Sequence, residues 1–308
     1  VNPFRSLLLA AAGNDSLRRA VATAPATRGL AERFVAGETV ADAVTAVGEL
    51  VDDGRYATLE HLGEDVREPG QAERTVQTYL ALLDRLYDEG LAARAEVSVK
   101  LSALGLGLDE KLAMDNAWRI CAAAEQCATT VTIDMEDHRT TDATLRAVEE
   151  LRHTWPWVGV ALQSSLNRTE KDAAALAVAD SRVRLCKGGY TEPREVAWRT
   201  RHEADLSYVR AANTLLAGAG YPMFATHDPR LIDILGERIR WHGRKPGSYE
   251  FQMCYGVRPA AQAALAAAGE TVRVSVPFGE HSYGGLVRRL AERPANLVSS
   301  LRALVDRS

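Results

Sequence analysis

Short apolar runs alternate along most of this chain with longer stretches rich in Ala, Leu and Arg, and the two kinds of segment carry different periods. The short runs are Tyr56–Leu62, Ala95–Leu101, Thr130–Asp134, Val158–Gln163, Val183–Lys187, Pro222–His227, Tyr249–Cys254 and Thr271–Pro277. Each is followed by a segment of helical period, such as Thr75–Leu86 or Asp172–Ala179, in which apolar positions return every three or four residues. Strand then helix, repeated, is the mark of a parallel sheet. Repeated eight times, it closes naturally into an α/β fold of the (β/α)8 TIM-type barrel class. A flavodoxin-like doubly wound sheet is the second option, but it usually has fewer strands.

The expected organisation is one domain over residues 1–308: a helical extension over 1–55, the barrel over 56–293 and a short C-terminal helix over 294–308. No Pro/Gly/Ser-rich linker, low-complexity tract or charge block interrupts the alternation. The run Leu7–Ala12 is too short to cross a bilayer and precedes Asp15, Arg18 and Arg19, so it reads as an amphipathic helix.

Composition narrows the function classes. With 46% hydrophobic and 25% charged residues the chain is ordinary globular material, and a net charge of −4 provides no basic field for nucleic acid. The four cysteines, Cys121, Cys127, Cys186 and Cys254, have neither C-x-x-C nor metal-ligand spacing. They suggest no disulfide framework and no zinc site, and fit a reducing cytoplasm.

In such a barrel the reactive residues gather at the C-terminal ends of the strands. In chain order those ends carry Glu64, Lys100, Asp134, Gln163, Arg184 with Lys187, Thr226 with His227, and Gln252, followed by Arg288 and Arg289 in the eighth helix. Any one of them is as well explained as a cap, a rim charge or a salt-bridge partner. Lys100 stands out because it lies inside the alternation Val97–Ser98–Val99–Lys100–Leu101, where a buried ammonium requires a partner. Asp134, one strand over, is the expected partner. The run Arg184–Leu185–Cys186–Lys187–Gly188–Gly189–Tyr190 ends a strand in a cation and two glycines, which suits a phosphorylated cofactor. Local turn geometry explains those glycines equally well. Adjacent guanidiniums at Arg288 and Arg289 suit a carboxylate, although an Arg pair is more commonly a solvated helix face.

Taken together, Leu62–Gly63–Glu64, Val99–Lys100–Leu101–Ser102, Asp134–Met135–Glu136, Leu162–Gln163, Arg184 to Tyr190, Ala225–Thr226–His227, Tyr249 to Met253 and Leu286 to Leu290 resemble the monofunctional bacterial proline dehydrogenases. The resemblance extends through most of the chain, from Arg33–Thr39 to Ala291–Asn296. It implies FAD held non-covalently over the strand ends and a flavin-dependent oxidation of the C–N bond of a proline-like amino acid. It places Arg184 near flavin N5 and Gln163 at the isoalloxazine edge. Lys187, Gly188, Gly189, Thr226 and His227 would serve the rest of the cofactor. It assigns Arg288, Arg289 and Lys100 to the substrate carboxylate, and Tyr190, Leu185 and Asp134 to the pocket lining. Glu64 would pair with Arg288 to gate the pocket. The implied catalytic set is Arg184, Asp134, Tyr190 and Lys100, with no metal. The implied partners are a small amino acid or secondary amine and a quinone or other electron acceptor. The expected location is the cytoplasm, with peripheral contact at the inner membrane as an alternative.

Two positions depart from the family pattern. Family members carry a tyrosine where this chain has Ser275 in the eighth strand, and another where it has Gly285, three residues before the Arg pair. Losing two rings from one wall predicts a pocket that admits a substituted proline, hydroxyproline or another secondary amine of specialised metabolism. In the competing expectation Tyr283 or a neighbour refills the space and proline remains the substrate. Two other classes compete: a flavin or amino-acid sensor without turnover, and a metal-dependent barrel hydrolase using Asp134, His138, His227 and Asp228. The latter lacks any H-x-H or H-E-x-x-H spacing.

Overall fold

The computed structural model describes residues 33–63 and 66–279. Eight parallel strands close on themselves in sequence order, β1 pairing with both β2 and β8. They are β1 Tyr56–His61, β2 Ala95–Val99, β3 Val131–Ile133, β4 Gly159–Gln163, β5 Arg182–Cys186, β6 Tyr221–Ala225, β7 Glu250–Cys254 and β8 Val272–Phe278. All eight expected strands form, within a few residues of their expected ends, so the barrel is the fold and the doubly wound sheet is not.

Eight α-helices lie among the described residues: α1 Val40–Asp52, α2 Pro69–Asp88, α3 Glu110–Gln126, α4 Thr141–Arg152, α5 Thr169–Leu176, α6 Arg201–Ala217, α7 Pro229–Trp241 and α8 Pro259–Ala267. Of the helical extension, α1 is described; it packs against β1 and β8. The run Leu7–Ala12, the residues Glu64, Tyr283, Gly285, Arg288 and Arg289, and the helix expected over 294–308 lie outside the described residues.

Helix ends follow local chemistry that periodicity alone misses. The helix expected over Thr75–Leu86 begins at Pro69, a residue suited to the first helical turn because its missing N–H is not needed there. Its buried stripe runs from Ala72 through Val76, Tyr79 and Leu83 to Leu86. The helix expected over Asp172–Ala179 starts earlier, at Thr169, whose hydroxyl donates to the Gln163 carbonyl at the end of β4. It stops before Ala177, whose carbonyl accepts from Ala219 N at 3.2 Å as the chain leaving α6 passes close by.

The two faces of the barrel wall differ sharply. Outward positions are apolar and buried under the helices, as with Leu59, Val97, Val99, Ile133, Val160, Val183, Leu185, Phe224 and Val274. Inward positions are largely polar or charged: Thr58, Glu96, Ser98, Thr132, Arg182, Arg184, Glu250, Gln252 and Arg273 are all buried or nearly so. Barrel interiors are more often filled by branched apolar side chains. Here the apolar core lies between wall and helices, and the axis holds a network of ions.

Tyr79 of α2 ties that helix to the wall. Its hydroxyl donates to Ser98 O at 2.7 Å and accepts from His61 N at 3.1 Å, so one buried oxygen joins α2 to β1 and β2. Tyr79→Phe leaves both backbone groups short of a partner. The expected result is a loss of about 1–3 kcal/mol in urea unfolding with an unchanged denaturant slope.

Candidate active site at the carboxyl ends of the strands

Arg184 organises the mouth of the barrel. It sits mid-strand on β5, and its guanidinium reaches across the axis to three other strands. Nη1 donates to Asp134 Oδ1 at 2.6 Å and to Ser98 Oγ at 2.7 Å. Nη2 donates to Glu96 Oε1 at 3.1 Å and to Thr58 Oγ1 at 3.2 Å. A side chain held at both forks by charge-assisted bonds has little rotameric freedom left.

Below it the ionic network continues. Glu96 Oε2 accepts from Arg182 Nη2 at 2.7 Å, and Arg273 Nε lies 3.8 Å from Glu96 Oε1. Thr130 and Thr132 donate their hydroxyls to the same carboxylate. Glu250 accepts from Arg273 at 2.8 and 3.1 Å and from Gln252 Nε2 at 2.6 Å. Burial opposes ionisation of Glu96, but the guanidiniums of Arg273, Arg182 and Arg184 outweigh it and hold the carboxyl well below the usual carboxylate range.

Lys100, at the end of β2, forms its ion pair with Glu60 of β1 rather than with the expected Asp134. The reason is register: β1 and β2 run side by side with Glu60 opposite Ser98, so Glu60 reaches the ammonium, while Asp134 is drawn to Arg184. Gln163 is buried and donates to Glu136 O at 2.7 Å, and Glu136 in turn accepts from Ser102 N at 3.0 Å. This links the loops after β2, β3 and β4 around the mouth.

Lys187 pairs with Asp205 at 2.6 Å and with Asp228 at 3.3 Å, so its charge is already answered by two carboxylates. Arg230 and Arg201 face the same acids, leaving the cluster with one more cation than anion. Gly188 has φ +101°, and a Cβ there would stand 2.3 Å from Ser165 Oγ and 3.0 Å from Gln163 Oε1, so only glycine fits. Gly189 and Tyr190 follow in the same half-buried loop.

Thr226, buried at the end of β6, accepts from Asp228 N. The neighbouring His227 accepts from Cys254 N at 2.7 Å through Nε2, which places its proton on Nδ1. Ser275 lies on β8 opposite Thr58 of β1, in the inward alternation shared with Arg273. Leu185 stands apart from this group: it is fully buried in the apolar core, at the alternate position to Arg184 in its strand.

Glu60, Glu96, Arg182, Asp205, Glu250 and Arg273 were not singled out by the sequence reasoning. The signal was present, because Glu96, Arg182, Glu250 and Arg273 are charges inside or at the edge of apolar strand runs. The four residues considered as metal ligands are engaged elsewhere: Asp134 by Arg184, His138 by Glu192, His227 by Cys254 N and Asp228 by Lys187. Among the described residues no group of three or more His, Cys, Asp or Glu could hold a metal ion. Among them also, no helix is long and apolar enough to cross a membrane.

The closed ring of eight parallel strands places the chain in the (β/α)8 barrel class. The sequence profile of the family described as Proline dehydrogenase matches residues 43–301. A proline dehydrogenase of Deinococcus radiodurans is 38% identical over 87% of this chain and 87% of its own. Proline dehydrogenase 1 of Bacillus subtilis is 32% identical over 99% of this chain and 100% of its own. The crystal structure of proline utilization A from Bdellovibrio bacteriovorus, inactivated by N-propargylglycine, superposes with a TM-score of 0.78 at 22% identity. That match covers 85% of this chain and 32% of the longer one. The chain belongs to the proline dehydrogenase family, a family of oxidoreductases.

Enclosure of His227, with a smaller contribution from the Arg258 guanidinium, lowers its imidazole pKa to about 4. Because this value lies below the ordinary 6.5, the unfolded chain binds the proton more readily. The neutral ring therefore contributes full stability above pH 6.5, and the contribution drains away as pH falls towards 4. Between pH 7.5 and 5 the protein is expected to lose roughly 2 kcal/mol through this group. Urea unfolding of wild type and His227→Gln at both pH values checks this: the variant should show the smaller loss.

Proposed function

We propose that this protein uses FAD to oxidise the C–N bond of a proline-like secondary amine to the cyclic imine, and that its pocket accepts ring-substituted prolines such as hydroxyproline. The observation that carries the reading is Arg184, an immobilised guanidinium facing the mouth of a barrel in a chain of this family. Two buried polar atoms support a bound group in this region. Ser165 Oγ, beside Gly188, and Arg184 Nε have no hydrogen-bond partner among the described residues. An unfilled buried donor is costly, and a ligand is one way to fill it. The glycine at 188 leaves open the space that a Cβ would take.

The residues that would hold FAD are Arg184, Gln163, Gly188, Gly189, Thr226 and His227. Lys187 would act through its cluster with Asp205 and Asp228, because its charge is shared with them. When bound, the flavin accepts the electron pair removed from the substrate carbon beside nitrogen. This chain's own contribution is placement and charge. Lys100, with Arg288 and Arg289, would hold the substrate carboxylate, and Tyr190 would close over the ring. Orienting both ends of a small zwitterion replaces covalent catalysis. Arg184, pinned by Asp134, offers fixed positive charge where negative charge accumulates, at no reorganisation cost. Asp134 is partly exposed, with its side chain at 15%, and holds the guanidinium from the end of β3.

Serine at 275 supports the wider pocket. It lies on the inward side of β8, opposite Thr58, whose hydroxyl touches Arg184. A ring missing there removes apolar contact with proline worth about 1–3 kcal/mol and supplies a hydroxyl instead. The electron acceptor is proposed to be a quinone, as the family resemblance implies.

Anaerobic mixing of purified protein with L-proline and with trans-4-hydroxy-L-proline at matched concentrations tests both parts. The flavin absorbance should bleach with each, and hydroxyproline should reach a kcat/KM at least equal to that of proline. A hundredfold preference for proline would reject the wider pocket, and flavin that no cyclic amino acid reduces would point to a sensor. Arg184→Met is expected to slow reduction by at least tenfold, read by stopped-flow.

A further inference from the structure

The carboxylate of Glu96 lies beneath Arg184 on the barrel axis. Its side chain is 1% exposed, and the positions of Arg182, Arg184, Arg273, Thr130 and Thr132 around it leave no route for a small molecule to touch it. It cannot contact a substrate at the mouth. It does contact Nη2 of Arg184, while Asp134 and Ser98 take Nη1.

We infer that Glu96 is the positioning residue for Arg184, and that by answering part of its charge Glu96 sets the reduction potential of the flavin. This rests on the reading above, in which Arg184 faces the flavin. Two features of the geometry support it. First, Glu96 is the deeper of two anchors, and with Asp134 it fixes the plane of the guanidinium across the barrel. Second, Glu96 divides its carboxylate among three guanidiniums while Asp134 answers Arg184 from the other nitrogen, so the charge that Arg184 presents depends on both carboxylates and rises when Glu96 is neutralised. In an interior without solvent screening, removing that carboxylate is felt at full strength by its neighbours. The sign follows: with Glu96 neutral, more positive charge faces the ring, and the reduced, more negative flavin is stabilised over the oxidised form.

The test is a potentiometric titration, with a reference dye, of the FAD-loaded protein and its Glu96→Gln and Glu96→Asp variants. Glu96→Gln should stabilise reduced over oxidised flavin by at least tenfold, a rise of about 30 mV for a two-electron couple. Glu96→Asp should recover at least half of the shift. A potential for Glu96→Gln within twofold of wild type on the same scale overturns the inference. Should that variant fail to accumulate, the double variant Glu96→Gln with Arg182→Gln removes one anion and one cation together and retains the charge balance. Arg182 lies deeper in β5 than Arg184, so its loss offsets the loss of Glu96 only in part; the potential should again rise, by less than in the single variant, and an unchanged value in the folded double variant overturns the inference. If wild-type protein is colourless and takes up no flavin, the flavin reading itself fails and this inference falls with it. A yellow protein whose potential ignores Glu96 retains the first reading and rejects the second.

Discussion

One buried carboxylate shared by three guanidiniums is the constraint on which the barrel interior depends. Glu96 receives Arg182 and Arg184 from β5 and Arg273 from β8, and Arg273 passes the network on to Glu250 of β7. A charge this deep is tolerable only with partners, and losing one member leaves the others uncompensated. The interior is therefore balanced as a set: Glu96, Glu250 and Asp134 face Arg182, Arg184 and Arg273. Such a set specifies a unique arrangement across strands far apart in sequence, because a register slip of one residue would turn every charge into the apolar layer.

That constraint also shapes the site. A long flexible arginine at a barrel mouth would ordinarily sample many rotamers, but Arg184 enters the cleft already oriented. Its anchors differ in kind: Glu96 is sealed from solvent, while Asp134 lies nearer the opening. The mouth thus has a fixed ion pair at its centre, Arg184 with Asp134, with Lys100 and its partner Glu60 on one side and the Lys187, Asp205 and Asp228 cluster beyond β5. The ionic floor beneath it is built from inward positions of β2, β5, β7 and β8.

Which polar residues end the strands was legible in the sequence. Asp134, Gln163, Arg184, Lys187, Thr226 and His227 were readable because polar residues that end or interrupt apolar runs are conspicuous. Their partnerships were not. Lys100 was expected to face Asp134 and faces Glu60, because pairing depends on the stagger between strands, which periodicity does not encode. Lys187 ends its strand as a cation suited to a phosphate, but Asp205 comes to it from α6, and no pattern within β5 reveals that contact.

What the sequence by itself determined is the succession of elements and the existence of an apolar outer face. Side-chain alternation and helical period are local properties, written within ten or fifteen residues. Only the tertiary structure decided which charges meet. Glu96 and Arg184 are 88 residues apart along the chain, and closure of the barrel carries them to the same point on its axis. Coulomb interactions depend on separation in space, and separation in space is what folding creates.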